Sequence, residues 1–177
     1  MFGGILVFME TGTLVTEDEY LHTAYEPDCD FEDGVLIGRN VGTRDHSELQ
    51  LALGAYFFRR RKAWDIHVYT EQRIKLRDGK YMIPDICVVR GPSPAELVFT
   101  APPLIWIEIL SPEDRHVRVN RKVREALEMG TPYVWVIDPE TLESELHTAQ
   151  GHGTLPDGVL RIPDAGIVIP LHEVLED

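Results

Sequence analysis

A chain of 177 residues is long enough for one domain with a core of its own and short for two. Apolar residues make up 44% and charged residues 27%, ordinary globular usage that excludes wholesale disorder. The formal net charge of −13 argues against a general polyanion binder, since phosphate binding rests on Lys and Arg. The distribution softens that exclusion: nine of the 17 basic residues fall in two short stretches, RRRK at 59–62 and Arg115, Arg118, Arg121, Lys122 and Arg124. No acid interrupts the second stretch. Each reads either as a phosphate-facing patch or as a solvated helix face.

The opening MFGGILVFME is apolar, but it has no basic flank and no small-residue cleavage site, and Glu10 ends it. It is too short to span a bilayer and ill suited to secretion. Residues 1–13 are therefore set apart as an N-terminal segment, 14–177 as a single domain, and the protein is expected in the cytoplasm without membrane contact. Cys29 and Cys87 have no CxxC or Cys/His spacing and read as free thiols of a reducing compartment.

In chain order, 14–37 predicts a short helix, a turn at Glu26-Pro27-Asp28, and a strand at Val35-Leu36-Ile37 after Asp33-Gly34. From Asp45 to Lys62 the period is helical, with Leu49, Ala52, Leu53, Tyr56 and Phe57 on one stripe. Leu51 and Phe58 lie on the other side, which predicts burial of more than one face and, with the apolar N-terminus, a homodimer. Residues 65–76 alternate as one half-buried strand, Asp78-Gly79 turns the chain, and 81–90 returns as another. LIWIEIL at 104–110 reads as a central strand buried on both faces.

Ser111-Pro112-Glu113 predicts a helix start and Gly130 its stop. YVWVID at 133–138 is a second buried strand, and strand–helix–strand at this spacing implies a parallel crossover. ESELHTA at 143–149 follows, and the runs near 159–162 and 167–169 are expected to complete the sheet edge. The order defines an α/β fold around a mixed sheet.

Two carboxylates stand where carboxylates are costly. Asp85 shares a strand face with Ile83, Cys87 and Val89, and Glu108 shares one with Leu104, Trp106 and Leu110. A buried, unpaired carboxylate costs several kcal/mol or takes up a proton, so each needs a partner. Either the two converge on a divalent cation, whose oxygen ligands would suit Mg²⁺ or Mn²⁺, or each forms a structural ion pair with Arg73, Arg90 or Lys75. Lys122 follows on the next helix. With Val119 at zero and about 100° per residue, Val123, Ala126 and Leu127 fall near about 40°, −20° and 80°, and Lys122 at about −60°. Lys122 thus borders the apolar stripe, able to reach back to Glu108 or to snorkel outward. Arg121 points to the wet side. His46 lies on the inward face of its helix, as a catalytic group or as a hydrogen-bonded core residue.

These residues and their neighbours carry a resemblance. Tyr25-Glu26-Pro27-Asp28, Asp33-Gly34, the His46 helix, Pro84-Asp85, IEILSP at 107–112, Lys122, Gly130 and YVWVIDP at 133–139 resemble the Uma-two family of the PD-(D/E)XK endonuclease superfamily. The resemblance implies a restriction-endonuclease-like core of helix, three strands, helix and strand, with extra N-terminal and C-terminal strands. It implies that Asp85, Glu108 and the Ile109 carbonyl hold Mg²⁺ or Mn²⁺, with Lys122 completing the catalytic trio and His46 and Asp30 in support. The superfamily lysine two residues after the glutamate is replaced by Leu110, its role passing to Lys122. Arg118, Ala126 and Val35 also depart from the pattern. The implied activity is metal-assisted hydrolysis of phosphodiester bonds in DNA, with Arg115, Arg118 and Arg121 on the nucleic acid. A silent binding module on the same fold, or an enzyme of another phosphodiester, are the alternatives. No P-loop, GxSxG or HExxH signature is present.

Overall fold

The structure, a computed structural model, describes residues 14–39, 42–112 and 116–176. The expected N-terminal segment 1–13 and Arg115 lie outside the described residues.

Helix α1 (Glu17–His22) is capped by Thr16, whose hydroxyl accepts from Glu19 N. Strands β1 (Cys29–Glu32) and β2 (Val35–Gly38) form a hairpin around Asp33-Gly34. Helix α2 (Arg44–Trp64) starts at the Thr43 cap and ends at Asp65, which adopts the left-handed conformation. Strands β3 (Ile66–Thr70), β4 (Ile74–Arg77), β5 (Lys80–Met82), β6 (Ile86–Arg90) and β7 (Ile105–Ile109) follow. Helix α3 (His116–Met129) stops at Gly130, φ 107°, where Thr131 N donates to Ala126 O. The chain then forms β8 (Tyr133–Ile137), β9 (Ser144–Thr148), β10 (Gly151–Thr154), β11 (Val159–Ile162), β12 (Ile167–Pro170) and α4 (Leu171–Glu176).

The central sheet runs β10-β9-β8-β7-β6-β3, and a second sheet runs β2-β1-β5-β4. The β7–β8 pair is parallel, as the crossover through α3 requires, and the other pairings of the central sheet are antiparallel. Strand alternation in the central sheet gives one core on each face, and a third cluster of Tyr20, Phe31 and Tyr81 lies on the second sheet. Ile105, Ile107 and Ile109 face α2, meeting Leu49, Leu53 and Phe57, whereas Trp106 faces α3 among Val123, Ala126 and Val134.

Four expectations are corrected. Residues 65–76 are two strands in two sheets, broken where Glu71 takes φ 51°. Residues 81–90 likewise divide at Ile83-Pro84-Asp85, with β5 in one sheet and β6 in the other, so Asp85 precedes its strand. The tail does not complete the sheet edge: β11 and β12 form their own hairpin, whose Leu160, Ile162, Ile167 and Ile169 enter the α2 core, and β10 takes the edge. Leu51 and Phe58 are 74% and 54% exposed, so α2 buries one stripe; Arg61 lies over the Phe58 ring at 3.8 Å. Phe57→Ala should therefore cost about 3–5 kcal/mol in urea unfolding, and Leu51→Ala no more than about 0.5 kcal/mol.

Candidate active site

The acidic cluster forms where the chain passes from one sheet to the other. The link at 83–85 carries backbone groups with no ladder partner, and such groups must be satisfied when buried. Ile83 N donates to Asp30 Oδ1 at 2.9 Å, and Ile83 O accepts from Lys122 Nζ at 3.0 Å. Asp85 O accepts from Gln50 Nε2 at 3.0 Å and Glu71 N at 3.1 Å. The antiparallel β6–β7 register pairs Ile86 with Ile107, and one further step sets Asp85 opposite Glu108. The two acids thus sit on neighbouring strand ends.

Each carboxylate is held by direct partners. Asp85 Oδ1 accepts from Arg39 Nη2 at 2.7 Å, and Oδ2 accepts from Ile109 N at 2.7 Å and lies 3.3 Å from His46 Nε2. Lys122 Nζ donates to both Glu108 oxygens at 3.0 and 2.9 Å, and Trp106 Nε1 donates to Oε1 at 2.7 Å. The Trp106 contact follows from strand geometry, since residues two apart share a face. Arg73, Arg90 and Lys75, the alternative partners, are engaged elsewhere: Arg73 with Asp28, Arg90 with Asp164 O, and Lys75 with Glu17 and Asp78.

Burial pushes the Glu108 carboxyl up to about 7 against the pull of Lys122, with the Asp85 charge adding to the rise. Burial also opposes ionisation of Asp85, but the His46 hydrogen bond and the Lys122 and Arg39 charges outweigh it and hold that carboxyl below the usual range. Burial disfavours the Lys122 ammonium, yet Glu108, Asp30 and Asp85 more than compensate, and its affinity for the proton rises. One acid held ionised beside one that titrates near neutrality is a pattern of acid–base sites.

The sign of the resulting pH dependence is fixed. Between about 4.5 and 7 the folded chain binds the Glu108 proton more tightly than the unfolded chain, so this contribution to stability is complete below 4.5 and lost as pH rises through 7. In EDTA, the stability of the wild type relative to Glu108→Gln should fall across that window. Urea midpoints that track each other from pH 4.5 to 8 would refute the assignment.

The donor set fits a hard divalent cation. Asp85 and Glu108 offer carboxylate oxygens, the Ile109 carbonyl stands beside them in β7, and no sulfur is among them. Asp85 Oδ1 accepts from Arg39 and Glu108 Oε2 from Lys122, and a carboxylate oxygen has a second lone pair to offer. Asp30, 1% exposed, keeps Oδ2 buried without a hydrogen-bond partner among the described residues. The cluster opens on a cavity of about 410 Å³ walled by Arg39, Gln50, Glu71, Ser111 and Arg118.

Of the residues singled out from sequence, Asp85, Glu108, Ile109, Lys122, His46 and Asp30 come together here. Arg118 lines the cavity, whereas Arg121 does not, its guanidinium donating to Glu32 Oε2 at 3.0 Å. Lys122 is not at the rim of the core; it is 5% exposed, drawn inward by Glu108 and Ile83 O. Arg39 was missed. It follows a short strand in an undistinguished GRN stretch, and its role depends on a contact 46 residues away.

Fold and site together define a restriction-endonuclease-like α/β protein. A crystal structure described as "a putative nuclease belonging to DUF820" from Anabaena variabilis matches with a TM-score of 0.78 and 22% identity, over 92% of this chain and 98% of that one. At that identity the likeness establishes the fold alone. The chain belongs to the Uma2 family, described as "Putative restriction endonuclease", whose profile matches residues 18–171. No curated protein matches the chain at a significant level. Among the described residues, no helix is long and apolar enough to cross a membrane.

Proposed function

We propose that the protein is a divalent-metal-dependent endonuclease that hydrolyses phosphodiester bonds in DNA. The observation that carries this reading is the convergence of Asp85, Glu108 and Lys122, each less than a tenth exposed, in a cavity lined by Arg39 and Arg118 as well as by Glu26, Asp28 and Glu71. Asp85, Glu108 and the Ile109 carbonyl hold Mg²⁺ or Mn²⁺. When bound, such an ion polarises the phosphate and lowers the pKa of a coordinated water. Arg39 and Ile109 N fix the Asp85 carboxylate from two sides. Lys122 anchors Glu108 by both oxygens and keeps a positive charge where the phosphorus oxygens gain negative charge. His46 and Asp30 hold the surrounding geometry, and Arg118 meets the nucleic-acid backbone at the cavity wall. The overall charge of −13 implies modest affinity, with a salt dependence set by the few phosphates that the cavity cations neutralise.

Incubation of supercoiled plasmid and single-stranded DNA with Mg²⁺, Mn²⁺ or EDTA tests the reading. Cleavage is expected with either metal and none with EDTA. Complete inactivity on both substrates would favour the silent binding module, for which one observation speaks: Arg39 and Lys122 already balance the two acids by direct contact. The proposed homodimer is supported by Leu51 and Phe58, exposed two turns apart on α2. Light scattering that reads a monomer at micromolar concentration would reject it.

A further inference from the structure

The outermost hairpin of the central sheet, β9–β10, carries a second cluster of chemistry-bearing side chains. Glu145 and His147 are two apart on β9 and so share a face. His152 on β10 is the cross-strand partner of His147, and directly opposed residues in an antiparallel ladder project to the same side. The ladder therefore gathers one carboxylate and two imidazoles, whose ligand atoms all lie within 4.8 Å of one another.

Three features distinguish this cluster from a solvated surface. Glu145 Oε2 and His147 Nε2 stand 3.1 Å apart. That is close to the roughly 3.3 Å imposed on O and N donors bound about 2.0–2.1 Å from one tetrahedral ion. The His147 and His152 rings are stacked, with centroids 5.1 Å apart and planes 17° from parallel, a poor arrangement for two imidazolium cations. The His147 side chain is 12% exposed, so the cluster is seated in the sheet and does not rest on three solvated side chains.

We propose that Glu145, His147 and His152 form a metal site separate from the acidic cluster, taking a borderline transition-metal ion, Zn²⁺ foremost, in preference to Mg²⁺. Two imidazoles with a carboxylate suit Zn²⁺, whereas sites of carboxylate, carbonyl and water suit Mg²⁺. Three protein ligands leave a fourth position for water or an anionic group. The hairpin has reason to need such a clasp: β10 is GHGT, exposed along its length and half glycine, so it buries little and loses much backbone freedom on ordering. An ion bridging His147 and His152 ties the edge strand to its neighbour.

The test is a Zn²⁺ titration of the full chain by chelator competition in a large excess of Mg²⁺, alongside His152→Ala and His147→Ala. His152 is exposed and its removal leaves both cores untouched. The wild type should bind Zn²⁺ saturably despite the Mg²⁺. Each variant should bind about a hundredfold more weakly, since loss of an outer-shell partner alone costs 10–100-fold. Amide exchange across 144–154 should slow with Zn²⁺ in the wild type and not in His152→Ala. A wild-type isotherm shared by both variants, Zn²⁺ fully displaced by Mg²⁺, or no saturable binding would each overturn the proposal.

Discussion

Lys122→Met should lose at least about a hundredfold in the rate of DNA hydrolysis at saturating metal and substrate, the usual cost of removing one preorganised charge from a developing oxyanion. Methionine keeps most of the buried volume, so the change isolates the ammonium. A lysine at the border of an apolar stripe would cost about 1 kcal/mol or less on removal. The buried position revises that figure. Removing one partner of a buried pair typically costs about 3–5 kcal/mol, because the other charge is stranded. Glu108 has an escape: its carboxyl titrates near 7 even beside Lys122, so without the lysine it takes up a proton. The variant should therefore be markedly less stable at pH 8 and close to wild type at pH 5. Arg121→Ala is the control. Its partner Glu32 is also held by Lys80, so the chemical step should be unaffected. Equal rates in Lys122→Met and wild type would mean that Lys122 only supports the link at Ile83.

Asp85→Asn should lower Mn²⁺ affinity by about a hundredfold or more, beyond what loss of an outer-shell partner costs, and reduce cleavage to background. The carboxylate is also the counter-charge of Arg39, whose side chain is 11% exposed. The amide leaves that guanidinium the half-exposed Glu71 carboxylate at 3.7 Å in place of the buried contact, and the fold should lose about 3 kcal/mol. Calorimetric titration with Mn²⁺ separates the two effects, since a merely destabilised protein still binds at low temperature. Retained Mn²⁺ affinity together with retained cleavage would remove Asp85 from the metal site. Loss of stability with undiminished affinity would assign it to the Arg39 ion pair alone.

Much of this protein follows from local pattern. Apolar spacing at 3.6 residues marked α2 and α3, and continuous apolar runs marked β7 and β8. The parallel β7–β8 pairing followed from the helix between them. The approach of Lys122 to Glu108 was also legible, because a strand and the helix behind it fix where a side chain can reach. What the chain order could not decide was the division between sheets. A period of two tells which face a residue takes but not which sheet it joins. The breaks at Glu71 and at Ile83-Pro84-Asp85 arise where the chain leaves one sheet and enters the other, since one continuous strand cannot pair in both. Those breaks create the unpaired backbone groups that Asp30, Gln50 and Lys122 satisfy. The partner of Asp85 was likewise beyond local reading: Arg39 follows β2 of the other sheet, and a contact closed over 46 residues leaves no periodic mark in the sequence.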